Sequence, residues 1–87
     1  MSQYILKLFI TGQTEKSRKA VANLQRLFDQ MGVEYQLIVI DVLEQPECAE
    51  QDRVLATPTL IRVMPLPARR IIGDLSDVER VRIGLGL

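Results

Sequence analysis

Apolar and polar side chains alternate over residues 4–10 so that both faces of an extended segment are largely apolar. One face carries Leu6, Leu8 and Ile10, and the other carries Ile5, Lys7 and Phe9. Since successive side chains of a strand point to opposite sides, this pattern predicts a central, mostly buried strand. Lys7 is the exception, and we expect its amine to reach solvent.

A helical pattern follows the turn at residues 11–14. Thr14 is a suitable N-cap and Glu15 places a negative charge in the first turn, which the helix dipole favours. We expect the helix to end near Met31, with Gly32 after it. Helical spacing predicts one buried stripe, formed by Ala20, Val21, Leu24, Leu27, Phe28 and Met31.

Residues 35–42 form a second predicted strand. Its centre, residues 37–40, is continuously apolar, which favours an interior parallel strand. The order strand, helix, strand then makes a right-handed βαβ unit.

The second half predicts four more elements. Pro46 suits a first helical turn, so residues 47–53 form a short helix. Residues 59–64 and 69–72 are strands, antiparallel to each other. Residues 76–79 match a capping box that opens a last helix, whose buried side carries Val78, Val81 and Leu85. The whole chain, residues 1–87, is therefore predicted to be a single α/β domain of order βαβαββα, which is the thioredoxin-like order.

Pro58 stands directly before the third predicted strand, where a residue without an N–H is tolerated. The Thr57–Pro58 bond can be cis because an X-Pro amide prefers trans only weakly. In the thioredoxin-like fold a structural cis-proline lies at this place and faces the tip of the first helix.

The last predicted helix contains conflicting signals. Gly84 and Gly86 disfavour a helix, and residues 80–83 alternate polar and apolar as a strand would. Two interpretations stay open, ordinary fraying near a terminus or a segment able to adopt two structures. Helix propensity alone predicts that Gly84→Ala favours the helical form.

Composition narrows the classes of function. The chain has 47% apolar residues, eleven basic and eleven acidic side chains, and therefore no basic excess for binding nucleic acid. An acidic stretch over residues 41–52 precedes Arg62, Arg69 and Arg70, a polarity that suits protein–protein contact or an ordinary solvated surface. With no apolar run near the ~20 residues of a membrane span and no signal-peptide pattern, we expect a cytoplasmic protein.

Catalytic chemistry is not supported by the residues. The chain has no histidine and one cysteine, Cys48, while redox thioredoxins need Cys-x-x-Cys at the tip of the first helix. Residues 12–17 occupy that tip and contain no thiol. We expect turn and cap roles for Asp74 and Asp77 rather than a metal site, and we expect no cofactor.

Several stretches resemble the KaiB family of circadian clock proteins. They are Tyr-Ile-Leu-Lys-Leu-Phe-Ile-Thr-Gly at 4–12, Ile-Asp-Val-Leu at 40–43 with Pro46, Leu-Ala-Thr-Pro-Thr-Leu at 55–60 and Arg-Arg-Ile-Ile-Gly-Asp-Leu-Ser-Asp at 69–77. Glu-Arg-Val at 79–81 and Ile-Gly-Leu at 83–85 continue the match. The resemblance covers nearly the whole chain, and the Arg-Arg-Ile-Ile-Gly-Asp-Leu-Ser stretch is the most specific part.

This resemblance implies two folds. One is a ground state of order βαββααβ, usually a homotetramer, and the other is a thioredoxin-like monomer that binds the hexameric ATPase KaiC. It also implies a KaiA-type protein or a clock kinase as further partners. Carried over by position, the KaiC-facing residues would be Arg62, with Arg53, Arg69 and Arg70 as weaker candidates. Tyr4 would belong to the self-association surface, here a dimer or tetramer, and Gly84 and Gly86 to the fold-switching segment.

The chain departs from the family pattern at a few positions. Glu15 stands where relatives often have proline, Leu66 interrupts a run of three prolines, and Gly86 replaces a frequent aspartate. These differences suggest a divergent member.

The sequence-based hypothesis is a non-enzymatic regulator of a KaiC-type ATPase. Two alternatives remain. One is a binding module like the thioredoxin-like sensor domain of the clock kinase SasA, and the other is a thiol-redox enzyme that would depend on Cys48.

Overall fold

Seven elements follow one another in the order βαβαββα in the computed structural model, which describes residues 3–12 and 14–86. They are β1 (Tyr4–Ile10), α1 (Glu15–Met31), β2 (Tyr35–Asp41), α2 (Pro46–Gln51), β3 (Thr59–Met64), β4 (Arg69–Ile72) and α3 (Val78–Leu85). This is the predicted thioredoxin-like order, and the alternative order βαββααβ is not the one adopted here.

The four strands form one sheet in the order β2-β1-β3-β4. β1 pairs in parallel with β2 and antiparallel with β3, and β3 pairs antiparallel with β4. β1 is therefore central, as predicted, but the prediction of an interior position for β2 is wrong. β2 lies at the edge, where Ile38 and Val39 are 37% and 45% exposed. A continuous apolar run does not reveal whether a strand has one neighbour or two.

The two faces of the sheet carry separate cores. Leu6 and Leu8 of β1 and Leu60 of β3 pack on the face covered by α1 and α3. Phe9 and Ile61 point to the opposite face, where Ala49 of α2 and Val54 pack against them. The alternation predicted for β1 thus decides which helix each of its side chains contacts.

α1 begins and ends as its sequence predicts. The hydroxyl of Thr14 accepts a hydrogen bond from the backbone N–H of Ser17, and Gly32 ends the helix with φ +65°, a conformation that favours glycine. The predicted stripe is buried at Ala20, Leu24, Leu27 and Phe28. Val21 is partly buried against the same core, and Met31, predicted at the end of the stripe, is 39% exposed.

α3 is capped by a different residue from the one predicted. Its N-cap is Asp77, whose carboxylate accepts from the N–H of Arg80 at 3.1 Å, so Ser76 does not cap the helix. Val81 and Leu85 are buried as predicted, whereas Val78, in the first turn, is half exposed. Gly86 lies at the C-cap with φ +74°, outside the helix interior where propensity would penalise it.

Candidate functional site

The turn around Pro58 meets the loop that leads into α1. The Thr57–Pro58 peptide bond is cis, and Pro58 is buried. The side-chain hydroxyls of Thr11 and Thr57 are hydrogen-bonded to each other, which joins this turn to the end of β1. The tip of α1 and the proline turn therefore form one continuous surface.

Two hydroxyls occupy the tip of α1, three residues apart, where a redox thioredoxin would carry its cysteine pair. The hydroxyl of Thr14 donates to Ser17 Oγ at 2.8 Å, and the N–H of Thr11 donates to the same oxygen at 3.4 Å. Ser17 is buried, and both hydroxyls stabilise the start of the helix. Cys48 lies on α2 beside the second core, so the α1 tip has no thiol.

A shallow groove runs between α2 and the segment that leads to the proline turn. It encloses about 270 Å³ and is lined by apolar side chains of Val42, Pro46, Ala49 and Val54, together with Thr57. Leu55 stands at this groove with 96% of its surface exposed. An apolar side chain this exposed beside an apolar groove is a feature of protein-binding surfaces.

Arg62, predicted as a partner-facing cation, is buried. Its side chain is 5% exposed, Nη1 donates to the carbonyl of Leu85 at the end of α3, and Nη2 donates to the carbonyl of Pro67 at 2.7 Å. In this conformation Arg62 connects β3 with α3 and with the β3–β4 loop. Sequence position alone did not predict this, because a long side chain can turn inward toward helix-terminal carbonyls.

Arg53 and Arg70 lie together on the α2 side of the sheet. The two Nη atoms of Arg70 donate to the carbonyls of Arg53 at 3.1 Å and Asp52 at 2.7 Å. The backbone of Arg53 adopts φ +53°, which is uncommon for a residue other than glycine. The two hydrogen bonds from Arg70 stabilise this turn at the end of α2. Both arginines are exposed.

Arg69 lies on the other side. The register pairs it with Arg62, while Arg70 pairs with Ile61, and successive side chains of a strand point to opposite faces. The four arginines expected on one surface are therefore divided between the two faces of the sheet.

Tyr4, predicted at a self-association surface, is half-buried against its own chain. Its ring packs edge-on to Phe28 with centroids 5.7 Å apart, and Phe28 also contacts Tyr35 at 4.9 Å. Tyr4 therefore has a structural role within the domain, in the aromatic cluster with Phe28 and Tyr35.

Gly84 and Gly86, the two glycines of the last segment, are favoured at their positions for different structural reasons. A Cβ at Gly84 would lie 2.8 Å from the side chain of Ile71, so glycine permits close packing of α3 on β4. Gly86 takes a positive φ at the C-cap.

Asp74 and Asp77 have the turn and cap roles expected from the sequence. Asp74 accepts from the N–H of Ser76 at 3.1 Å, and hydrogen bonds from the Ser76 side chain and backbone hold the pKa of Asp74 below its ordinary value. Within residues 3–12 and 14–86, no three acidic or cysteine side chains converge as a metal site requires. None of the helices there is long and apolar enough to cross a membrane.

Solved structures with the same fold include two that are informative. The N-terminal domain of SasA from Synechococcus elongatus superposes with a TM-score of 0.79 at 22% identity, covering 99% of this chain and 86% of that domain. Oxidised mitochondrial thioredoxin 3 from Saccharomyces cerevisiae gives 0.75 at 19% identity, covering 95% and 76%. At these identities the similarity establishes the thioredoxin-like fold alone.

Sequence comparison is more specific. The circadian clock oscillator protein KaiB of Synechococcus elongatus is 56% identical, with 97% of this chain and 83% of that protein aligned. The circadian clock protein KaiB3 of a Synechocystis species is 44% identical, with 100% and 86% aligned. The family model of the KaiB domain matches residues 7–87. The chain therefore belongs to the KaiB family of non-enzymatic clock proteins.

Proposed function

We propose that this protein binds a KaiC-type hexameric ATPase and thereby modulates the phosphorylation and ATPase cycle of that enzyme. One observation supports this above the others. The sequence is that of a KaiB protein, yet the chain has the fold of the SasA N-terminal domain rather than the order βαββααβ. The thioredoxin-like form is the one that the family resemblance associates with binding KaiC.

The contact surface that we propose is the α2 side of the domain. It comprises Arg53, Arg70, Leu55 and the groove between α2 and the Pro58 turn. Arginine is enriched among the residues that dominate binding energy, and Leu55 adds exposed apolar area beside Arg53. Arg62 and Arg69 lie on the opposite face, so Arg62 would affect binding only by stabilising α3.

A change of fold is the finer part of the proposal. α3 is the element expected to rearrange, because it is eight residues long and buries only Val81 and Leu85. Gly84 and Gly86 would permit the second arrangement, and Tyr4 would then contribute to a homodimer or homotetramer. Two packings within a few kcal/mol would suffice, and the ATPase would select the thioredoxin-like one.

Further clock components fit the same surface. A KaiA-type protein or a clock kinase would compete for it or bind beside it, and we expect these contacts to form in the cytoplasm. The similarity to the SasA domain also supports a second candidate, a sensor-type module that keeps the thioredoxin-like fold at all times.

The test is native mass spectrometry of the protein mixed with the KaiC-type ATPase from the same source, followed over hours. We expect up to six monomers per hexamer. Slow formation would support a change of fold, and rapid formation would support the sensor-type module. No complex with either the ATP-loaded or the phosphorylation-mimicking hexamer would overturn the proposed function.

Two variants locate the surface. Leu55→Ser and Arg53→Glu should each weaken binding without unfolding the domain, because both side chains are exposed. Ile83→Ser is the matched control, since Ile83 is also a largely exposed apolar residue but lies on α3. Equal weakening by Leu55→Ser and Ile83→Ser would exclude the α2 side as the contact.

A further inference from the structure

The outer edge of β4 carries backbone groups that no other described strand uses. β4 is the last strand in the sheet order β2-β1-β3-β4, so only β3 pairs with it among the elements that the structure describes. The N–H of Gly73 donates to the carbonyl of Pro58 at 3.0 Å and continues that ladder. Because hydrogen-bonded pairs alternate along an antiparallel ladder, Ile71 bonds to β3, and its neighbours Arg70 and Ile72 turn their N–H and C=O groups outward. These groups are spaced as a further strand would require.

The charged side chains of β4 do not shield this edge. Charged residues on an edge strand commonly discourage pairing with another chain. Here the guanidinium of Arg70 donates to the carbonyls of Asp52 and Arg53, in the turn after α2. Arg69 extends toward the end of α3, where its Nε lies 3.6 Å from the position of a Cβ built on Gly86. The outward backbone groups of β4 are therefore accessible to another chain.

A groove follows this edge on the side of α3. It encloses about 270 Å³ and combines apolar with cationic surface. The residues that line it come from β4 and α3, and they are Arg70, Ile71, Ile72, Arg80 and Gly84. Ile72 is 49% exposed, so the edge also leaves apolar area for another chain to cover.

The charges around the groove favour an acidic occupant. Arg80 is exposed at its wall, and no carboxylate of residues 3–12 or 14–86 forms an ion pair with it. Arg69 and Arg70 add positive charge to the strand itself. A second copy of this chain would bring the same cations to the edge, and like charges opposite each other destabilise a strand pair. A carboxylate brought beside Arg80 would instead be attracted to it.

We propose that an extended, acidic segment of another protein adds to the outer edge of β4 as a fifth strand. Its backbone pairs with the outward N–H and C=O groups of Arg70 and Ile72. A carboxylate on one face of the added strand lies beside Arg80, and an apolar side chain on its other face covers Ile72. In this mode of recognition the main-chain hydrogen bonds supply affinity, and the alternating side chains supply selectivity.

This site does not depend on ATPase binding. The surface proposed for the ATPase uses the side chains of Arg53 and Arg70 beside α2, whereas the added strand uses the backbone of β4 and a cation on α3. The experiment that tests the site therefore contains no ATPase.

The test is an NMR titration of the full chain with the acetylated and amidated peptide Val-Glu-Val-Glu-Val, whose glutamates share one face when it is extended. Saturable shifts of the amides at residues 70 and 72 are expected, and weaker binding is expected for the peptide Val-Lys-Val-Lys-Val. Equal binding of the two peptides, or shifts confined to residues 36–40 in the other edge strand, would overturn the site. The same shifts on raising the concentration of the protein alone would assign the edge to a second copy and overturn the acidic partner.

Ile72→Pro removes one outward N–H, at a position where proline is tolerated because that N–H lies outside the ladder. It should weaken binding of the glutamate peptide about tenfold, through one lost hydrogen bond and the bulk of the ring. Ile72→Val keeps the N–H and should bind as the parent does. Equal affinities of these two variants would contradict strand addition.

Arg80→Gln tests the site without changing the backbone. It should weaken binding of the glutamate peptide about threefold, the effect of one solvent-exposed ion pair. Arg82→Gln is the matched control, because Arg82 also lies on α3 but pairs with Glu79 and is not among the residues that line the groove. An unchanged affinity in Arg80→Gln, or an equal loss in Arg82→Gln, would refute the placement of the carboxylate.

Discussion

The side chain of Ile71 on β4 fills the space beside Gly84 on α3, where an added Cβ would lie 2.8 Å from both Cγ1 and Cδ1 of Ile71. Helix propensity favours Gly84→Ala by about 1 kcal/mol. The contact opposes it, because overpacking of a core costs about 1–3 kcal/mol. The expectation from propensity alone is therefore incomplete.

A double-mutant cycle measures this relationship. Ile71→Val removes Cδ1 and should cost about 0.5–1.5 kcal/mol in the parent. In the Gly84→Ala background the same change should cost less, by on the order of 1 kcal/mol, since it relieves the contact. Chemical denaturation of the four proteins gives the coupling, and strictly additive free energies of unfolding would show that Ile71 moves aside freely.

Arg62→Met should destabilise α3 in particular. The substitution keeps an unbranched chain but removes the donors to the Leu85 and Pro67 carbonyls, which we expect to cost about 1–3 kcal/mol. Amide hydrogen exchange should become faster at residues 81–85 and change little in α1. Arg82→Met is the control, because the side chain of Arg82 is half exposed and pairs with Glu79 at 3.7 Å on the surface, so its loss should change stability by less than about 0.5 kcal/mol. Similar losses in both variants would argue against the role of Arg62.

Asp77 caps the start of α3 and its neighbour Ser76 does not, and substitutions of the two residues should differ in their effect on stability. Asp77→Ala removes the N-cap and should lower the free energy of unfolding by about 0.5–2 kcal/mol. Ser76→Ala leaves the cap in place and should have a smaller effect. Thermal unfolding of the two variants decides which residue caps the helix, and a larger loss for Ser76→Ala would contradict the structure.

The pH dependence of stability should include a contribution from Asp74. Hydrogen bonds from Ser76 hold the pKa of this carboxyl below its ordinary value of 3.8. A lowered pKa in the folded state stabilises the fold above the unfolded pKa, and this stabilisation is lost as the pH falls through the folded pKa.

The fall in Tm on acidification below pH 3.8 should therefore be shallower in Asp74→Asn, which keeps an acceptor for Ser76 but does not titrate. In Ser76→Ala, an NMR titration should show the pKa of Asp74 moving back toward its ordinary value. If Tm falls identically with pH in the parent and in Asp74→Asn, Asp74 does not contribute to the pH dependence of stability.

The order of the elements and the bounds of β1 and α1 were predictable because they depend on local patterns, whereas α2, predicted over residues 47–53, is Pro46–Gln51. The alternation in β1, the Thr14 cap and Gly32 are all properties of neighbouring residues. Positions that depend on distant partners were not predictable. Whether β2 has a second neighbour depends on where β3 inserts, and whether Arg62 faces solvent depends on where the end of α3 lies. Among the capping residues, Ser76 and Asp77 are both good N-caps, and only the path of the chain after Leu75 decides between them.

The division of the four arginines between the two faces of the sheet has a genetic consequence. Substitutions on the α2 side affect Arg53 and Arg70, and substitutions on the α3 side affect Arg62 and Arg69. These are opposite faces of the sheet, although Arg69 and Arg70 are adjacent in sequence. The residues on one face can therefore be substituted, in evolution or by design, while those on the other face stay unchanged. A change at Arg70 alone would alter the α2 side of the sheet and leave the packing of Arg62 against α3 intact.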